Sequence, residues 1–404
     1  MGLNAEKIRE DFPALSSNKR GRTITYFDNA CTSLSPKKVI EAQSQYYESF
    51  PSCAGRSQHR LGRRVTEAVE SARKNISKRF NAKNPDSVIF TKNTSEALNL
   101  LYNAIPLGKG DVILTTDKEH NSNLIPAQLI SKRKGAEHRI VYSKIDNGFD
   151  LDAFQEAMDR SVKLVSMAHT SNIDGCTIPA REISKIAHDF GALFALDGAQ
   201  SAPHSEINIR RLGADFFACS GHKMLGPSGT GFLYGRYDLL ETMQPLIVGG
   251  NTVIDSTHKT HRLEGPPARF EAGIQNYAGI LGFSEAVTYL SSIGLSKVEK
   301  HEAYLNGLIT EGLLSEKKIS VIGPRDACYR AGIFSFNING FDSHKIARLL
   351  DERDDILIRS GTHCAHSWFN HHSMAGCARA SLYLYNTKEE AANFIDAIKK
   401  ILSS

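Results

Sequence analysis

The most chemically pointed stretch of the chain is Ser220-Gly221-His222-Lys223, followed by Gly226-Pro227-Ser228-Gly229. A lysine is ordinarily solvated. One held at the end of a buried strand, among a hydroxyl, an imidazole and close-approach glycines, loses its proton more readily. It then becomes an amine that can form a Schiff base with a carbonyl. Earlier in the chain, the apolar run Ala192–Leu196 ends in Asp197-Gly198-Ala199-Gln200. A carboxylate at the carboxyl end of a parallel strand points into the crevice where open α/β sheets bind ligands. Standing alone, such an Asp would more simply cap the next turn.

Lys223 and Asp197 together are what pyridoxal 5'-phosphate needs: an amine for its aldehyde and an anion that keeps its ring nitrogen protonated. The phosphate requires a site as well. Asn93-Thr94-Ser95-Glu96 opens a helix after an apolar strand, and the N–H groups and hydroxyls at such a terminus hold anions or merely cap the helix. Ser220 and His222 offer further phosphate contacts. His120, in Glu119-His120-Asn121-Ser122-Asn123, stands at another strand end where it can stack on a flat ring, although a lone histidine is more often structural.

These residues need a scaffold, and the patterning predicts one. From Asp86 to Tyr234, β-rich runs (Ser87–Thr91, Val112–Thr115, Leu164–Ala168, Ala192–Asp197, Asp215–Ser220, Gly231–Tyr234) alternate with helical runs, the signature of crossover units on a mostly parallel sheet. Val65, Ala68, Val69, Ala72, Ile76 and Phe80 form one apolar stripe at helical spacing. A long helical stretch from Tyr277 to Ser315 leads to a second pattern: strands Ile319–Ile322 and Ile333–Ile338, helix Ser343–Glu352, strands Ile356–Arg359 and Arg379–Tyr385. The last helix opens with the capping box Thr387 and Glu390. The expected architecture is α/β: a large domain over 21–285, and a smaller α+β domain from 1–20 plus 286–404.

Size and charge agree with a small-molecule enzyme. The 404 residues, 41% hydrophobic, suffice for two or three domains, and a net charge of +5 is too mild for a nucleic-acid-coating protein. No apolar run approaches the roughly 20 residues of a membrane span, and no secretory signal is visible, so a soluble, cytoplasmic protein is expected. The seven cysteines are scattered without a CxxC pair, which indicates neither a disulfide framework nor a zinc ribbon.

From Tyr26-Phe27-Asp28-Asn29-Ala30 to Arg379-Ala380-Ser381, the chain resembles the fold-type I pyridoxal phosphate enzymes of the class V aminotransferase superfamily, and within them the cysteine desulfurases. Arg359-Ser360-Gly361-Thr362-His363-Cys364-Ala365 is similar to the cysteine segment of the group II, sulfur-mobilisation branch. The resemblance implies conversion of L-cysteine to L-alanine with sulfur taken up by Cys364 as a persulfide that supplies Fe–S cluster or related biosynthesis. It implies Lys223 as the Schiff-base residue, Asp197 on the ring nitrogen, Gln200 on the ring hydroxyl, and His120 stacked on the ring as a further catalytic residue. Thr94, Ser95, Ser220 and His222 would hold the phosphate, and Asn172, Arg359 and Arg379 the substrate. His363 is the nearest candidate to help deprotonate Cys364. A homodimer and a sulfur-acceptor or Fe–S scaffold partner are also implied, with Arg56 and His59 near the active-site entrance.

Three positions depart from the family pattern. Ile274, in Glu271-Ala272-Gly273-Ile274-Gln275-Asn276, replaces a threonine whose hydroxyl reaches the other subunit's phosphate. Thr362 replaces a histidine, and Cys31 replaces a small residue and is read as packing. Selenocysteine lyase, cysteine sulfinate desulfinase or an amino-group transferase would use the same scaffold. Two further readings compete. His363, Cys364, His366, His371, His372 and Cys377 lie close enough in sequence to hold a metal, though no zinc template fits and none is expected. Arg56, Arg60, Arg63, Arg64, Arg73, Lys74, Lys78 and Arg79 are basic enough to meet RNA, but most fall on the polar side of an amphipathic helix.

Overall fold

The computed structural model describes residues 2–16 and 23–403. Seven strands form the principal sheet: β1 (Val88–Thr91), β2 (Val112–Thr116), β3 (Glu137–Val141), β4 (Val162–Ala168), β5 (Leu193–Asp197), β6 (Phe216–Ser220) and β7 (Gly231–Gly235). Their spatial order is β1-β7-β6-β5-β4-β2-β3. All neighbours from β6 to β3 are parallel, while β7 runs antiparallel to both β6 and β1.

Side chains alternate between the two faces of a strand, and each face here meets its own core. Val88, Phe90, Phe194, Leu196, Phe217 and Cys219 pack on one side with Val65, Val69, Ala72 and Ile76 of helix Arg60–Arg79. Ile89, Ala195, Phe216 and Ala218 pack on the other with Ala97, Leu98 and Leu101 of helix Thr94–Ala104. Burial on both faces explains why the central strands read as continuous apolar runs. Strand β3, an edge strand of sequence Glu-His-Arg-Ile-Val with mostly unburied residues, lacks that run and was not expected.

The second sheet comprises β8 (Ile319–Ile322), β9 (Ile333–Ile338), β10 (Arg359–Gly361) and β11 (Cys377–Ser381), in the order β8-β9-β11-β10 and antiparallel throughout. It shares a core with helices Leu295–Leu313, Ser343–Asp354 and Lys388–Ser403. The last helix carries the expected box: Thr387 N–H donates to Glu390 Oε2 at 3.0 Å and Glu390 N–H to Thr387 Oγ1 at 3.1 Å. Thr25–Tyr26 pairs in parallel with Ile356–Leu357, which brings the following turn, Asp28 to Cys31, against β11.

Some boundaries move. Expected strand Ile356–Arg359 is two short pieces with different partners. The strand expected over Arg379–Tyr385 ends at Ser381, because Tyr383 N–H turns to Asn386 Oδ1 instead of a ladder partner. The helical stretch from Tyr277 bends by 74° at Gly294, whose φ of +89° suits glycine. Residue 285 therefore lies inside helix Tyr277–Ile293, and the expected break between 20 and 21 falls outside the described residues. Among the described residues no single helix is long and apolar enough to cross a membrane.

Candidate active site

The C-terminal ends of β2, β4, β5 and β6 open on one side of the large sheet, where parallel strands leave a crevice. A cavity of about 180 Å³ lies there. All twelve residues expected to bind cofactor or substrate or to accept sulfur line it: Thr94, Ser95, His120, Asn172, Asp197, Gln200, Ser220, His222, Lys223, Arg359, Cys364 and Arg379. The second sheet supplies the last three across more than 130 residues of chain.

Asp197 ends β5 as a buried carboxylate that accepts one backbone N–H, from Ala199 at 2.9 Å. Burial raises its pKa, while that bond and the charge of Lys223 oppose the rise. Gly198 follows because no side chain fits: a Cβ there would stand 2.0 Å from the Phe217 ring. Lys223 closes a short 3-10 turn after β6. Burial pushes its ammonium toward the neutral amine, Asp197 opposes this, and Arg379 adds to it. The turn is tied down by Ser33, whose N–H and hydroxyl both donate to the His222 carbonyl at 2.9 and 3.0 Å.

At the N-terminus of helix Thr94–Ala104, the Thr94 N–H and hydroxyl meet Ser220 Oγ at 2.9 and 2.8 Å, and Ser95 Oγ meets Ser122 Oγ at 2.5 Å. These hydroxyls and N–H groups surround a space suited to an anion. His222 is lowered to about 4 by burial and by Lys223. His120 caps helix Asn121–Lys134, its Nδ1 accepting the Ser122 N–H at 3.1 Å. Burial, Lys223 and Arg379 lower it to about 3, so its ring is a neutral imidazole.

Gln200 donates to the Ala30 carbonyl at 2.7 Å. Arg379 is buried; Nη1 donates to the Asn172 carbonyl at 2.8 Å, Nη2 lies 3.6 Å from Asp28 Oδ1, and Nε has no partner. A buried guanidinium with an unused donor is prepared for a carboxylate ligand. An amine, an anion, a phosphate-binding helix end and a neutral imidazole thus fit pyridoxal phosphate and an amino acid beside it.

The loop that carries Cys364 contributes to the cavity wall. Cys364 is exposed, and both it and His363 have positive φ, 58° and 48°. His363 does not serve the thiol as expected. Its Nε2 stands 3.1 Å from Cys377 Sγ, and burial with Arg379 and Arg359 drives it to about 2, too weak a base to take a thiol proton. Cys31 is more than packing, since it lines the cavity with its Sγ 3.5 Å from Arg359 Nη1.

Other expected residues lie elsewhere. Arg56 and His59 are outside the cavity lining, and His59 instead caps helix Arg60–Arg79. Ile274 is 73% exposed, beside a different groove. The histidine and cysteine run disperses: His366 meets Asn121, His371 lies on Tyr142 and His372 stacks on Trp368. Among the described residues no three such groups converge. In the basic segment, Arg73 is buried against Glu271 and Arg64 lies over the Phe50 ring. Asn93, Ser122, Thr170 and His363 also line the cavity, although none was expected to bind cofactor or substrate. The nearest signal was position: Asn93 and Ser122 each adjoin a motif residue.

Residues 25–394 match the family model described as "Aminotransferase class-V". The chain belongs to that class of fold-type I enzymes, and its cofactor is pyridoxal 5'-phosphate. A protein of Halalkalibacterium halodurans named "Probable cysteine desulfurase" is 39% identical, with 98% of this chain and 97% of that one covered. The apo structure of the cysteine desulfurase from Thermococcus onnurineus is 37% identical with a TM-score of 0.94, covering 100% of this chain and 99% of the other. A cysteine desulfurase from Escherichia coli, in its S-sulfonic acid form, is 29% identical with a TM-score of 0.91, covering 99% of both chains. Within its class, then, the chain is a cysteine desulfurase.

Proposed function

We propose that this enzyme is a group II cysteine desulfurase that moves the sulfur of L-cysteine onto Cys364 and releases L-alanine. The observation that carries the reading is the presence of Lys223, Asp197, Arg379 and Cys364 on the wall of one cavity. Lys223 attaches the cofactor, Asp197 holds its ring nitrogen, Gln200 its ring hydroxyl and His120 its face. Thr94, Ser95, Ser220 and His222 hold the phosphate. When bound, the cofactor draws electrons from the substrate's Cα and so opens its sulfur to attack.

The protein's own groups do the rest. Arg379, with Asn172 and Arg359, binds the substrate carboxylate and fixes which face of Cα meets Lys223. The Lys223 amine, already biased toward neutrality, takes the Cα proton at Nζ and later returns a proton. The Cys364 thiolate attacks the substrate sulfur; the carbon–sulfur bond breaks, a sulfur–sulfur bond forms at Cys364, and protonation of the carbon skeleton leaves alanine. With His363 given to Cys377, the proton of Cys364 goes to the substrate or to water.

In this reading the enzyme acts as a cytoplasmic homodimer and passes its sulfur to an acceptor or Fe–S scaffold protein. Ile274, where the family has a threonine that reaches the other subunit, is exposed and so open to a second copy. The two-domain division stands as part of the same proposal, with the turn between domains at Gly294. Alanine formation from cysteine, measured with and without added reductant, tests the function. One rapid burst followed by reductant-dependent turnover is expected, and a wild-type holoenzyme that forms no alanine would end the reading.

A further inference from the structure

Cys31 and Cys364 occupy the same cavity wall, although 333 positions separate them. Cys31 follows the turn Asp28–Ala30, which is pinned to the second sheet: Ala30 N–H donates to Ser381 Oγ at 2.9 Å, and Asn29 Nδ2 to the Ser381 carbonyl at 2.7 Å. This places the Cys31 thiol, half-buried and not paired in a disulfide, beside Arg359, whose Nη1 approaches Sγ at 3.5 Å. Arg359 opens the strand that leads directly into the Cys364 loop. Arg359 Nη1 is thus a donor to a sulfur on the wall that also carries Cys364, and a thiolate is the form that attacks sulfur. Lys223 lines the same cavity as both thiols.

We propose that Cys31 is a second sulfur-carrying thiol, loaded from the Cys364 persulfide; this rests on the persulfide reading above. The Cys31 thiolate attacks the terminal sulfur of the Cys364 persulfide. The sulfur–sulfur bond at Cys364 breaks as a new one forms at Cys31, and Cys364 departs as a thiolate that takes up the proton Cys31 gave up. No oxidant or reductant enters, because one persulfide replaces another. The transfer frees Cys364 to accept a second sulfur while the first waits at Cys31. A persulfide also carries its reactive atom about 2 Å beyond Sγ, which lengthens the reach of the exposed loop.

Holoenzyme is mixed with excess cysteine in the absence of reductant, the thiols are trapped by alkylation, and alanine and peptide masses are read. Wild type should give an alanine burst roughly twice that of Cys31→Ala, with an extra sulfur on the peptides of both Cys31 and Cys364. Cys31→Ala should carry sulfur on Cys364 alone, and Cys31→Ser should behave the same way. Equal bursts in wild type and both variants, or a Cys31 peptide that never gains sulfur while Cys364 does, would overturn the relay and leave the desulfurase reading intact. Sulfur on Cys31 in Cys364→Ser would also overturn it, since loading would then bypass Cys364. Alanine formed with no sulfur on Cys364 in wild type would instead sink the persulfide reading itself.

Discussion

The backbone N–H of Asn121 donates a 2.7 Å hydrogen bond to the carbonyl of Cys364. The preceding carbonyl, of His363, accepts from Asn172 Nδ2 at 2.8 Å. Two consecutive residues with positive φ, a conformation uncommon outside glycine, are thus held by the wall of the cavity. One of these ties leads to the turn of His120, the other to the carbonyl partner of Arg379. The backbone of the Cys364 loop is therefore anchored to two parts of the cavity wall while its thiol stays exposed.

Cys364→Ser removes the proposed sulfur acceptor and keeps those backbone bonds. The variant should bind the cofactor and respond spectrally to cysteine, yet make almost no alanine from it. Selenium leaves carbon with less help than sulfur, so activity on selenocysteine should largely persist. A variant that makes alanine from cysteine at the wild-type rate would remove Cys364 from the reaction.

Arg379→Lys retains a charge but loses the planar fork that grips a carboxylate through two bonds. Loss of one charge-assisted bond should raise KM for cysteine by about 10- to 100-fold. Steady-state kinetics with KM unchanged would show that the substrate carboxylate sits elsewhere.

Acid should destabilise the protein partly through His363. Its pKa falls from 6.5 in the unfolded chain to about 2 in the fold, with burial the main cause. Below pH 6.5 the unfolded state binds a proton that the folded state refuses, so this contribution to stability is complete above 6.5 and is lost as pH falls toward 2. Between 6.5 and about pH 5 the loss is about 2 kcal/mol. His363→Gln should flatten the dependence of Tm on pH over that range. The same slope in variant and wild type would assign the acid sensitivity to other groups.

Arg73 and Glu271 form a buried two-point ion pair, with both nitrogen–oxygen distances 2.8 Å, and Glu271 also accepts the Phe90 N–H at 2.7 Å. The pair joins helix Arg60–Arg79, strand β1 and the segment that bears Ile274. Arg73→Ala would strand a buried carboxylate and should cost about 3–5 kcal/mol in denaturant unfolding. Adding Glu271→Ala should recover part of this loss. Single and double variants whose effects simply add would show that the pair is not coupled.

Local patterning made the chemistry legible. A lysine after an apolar strand, an Asp-Gly at the end of another, hydroxyls at a helix start and the Arg359–Ala365 segment are each written within a few residues, and so are the alternating strands and helices that position them. Period and propensity act over just that range. Strand β3 escaped because an edge strand buries little and so carries no apolar run. What tertiary structure alone decided is which distant residues meet. Arg379 approaches Asp28 and Cys31 meets Arg359, each pair more than 320 positions apart. Next to Cys364 in sequence, His363 nonetheless turns to Cys377 and loses its basicity by burial. Such pairings follow from the docking of the Tyr26–Cys31 turn and the Cys364 loop against β11, and a contact made by docking leaves no periodic mark on either segment. The sequence by itself determined the family and its cofactor; the packing of two sheets determined which distant residues became neighbours.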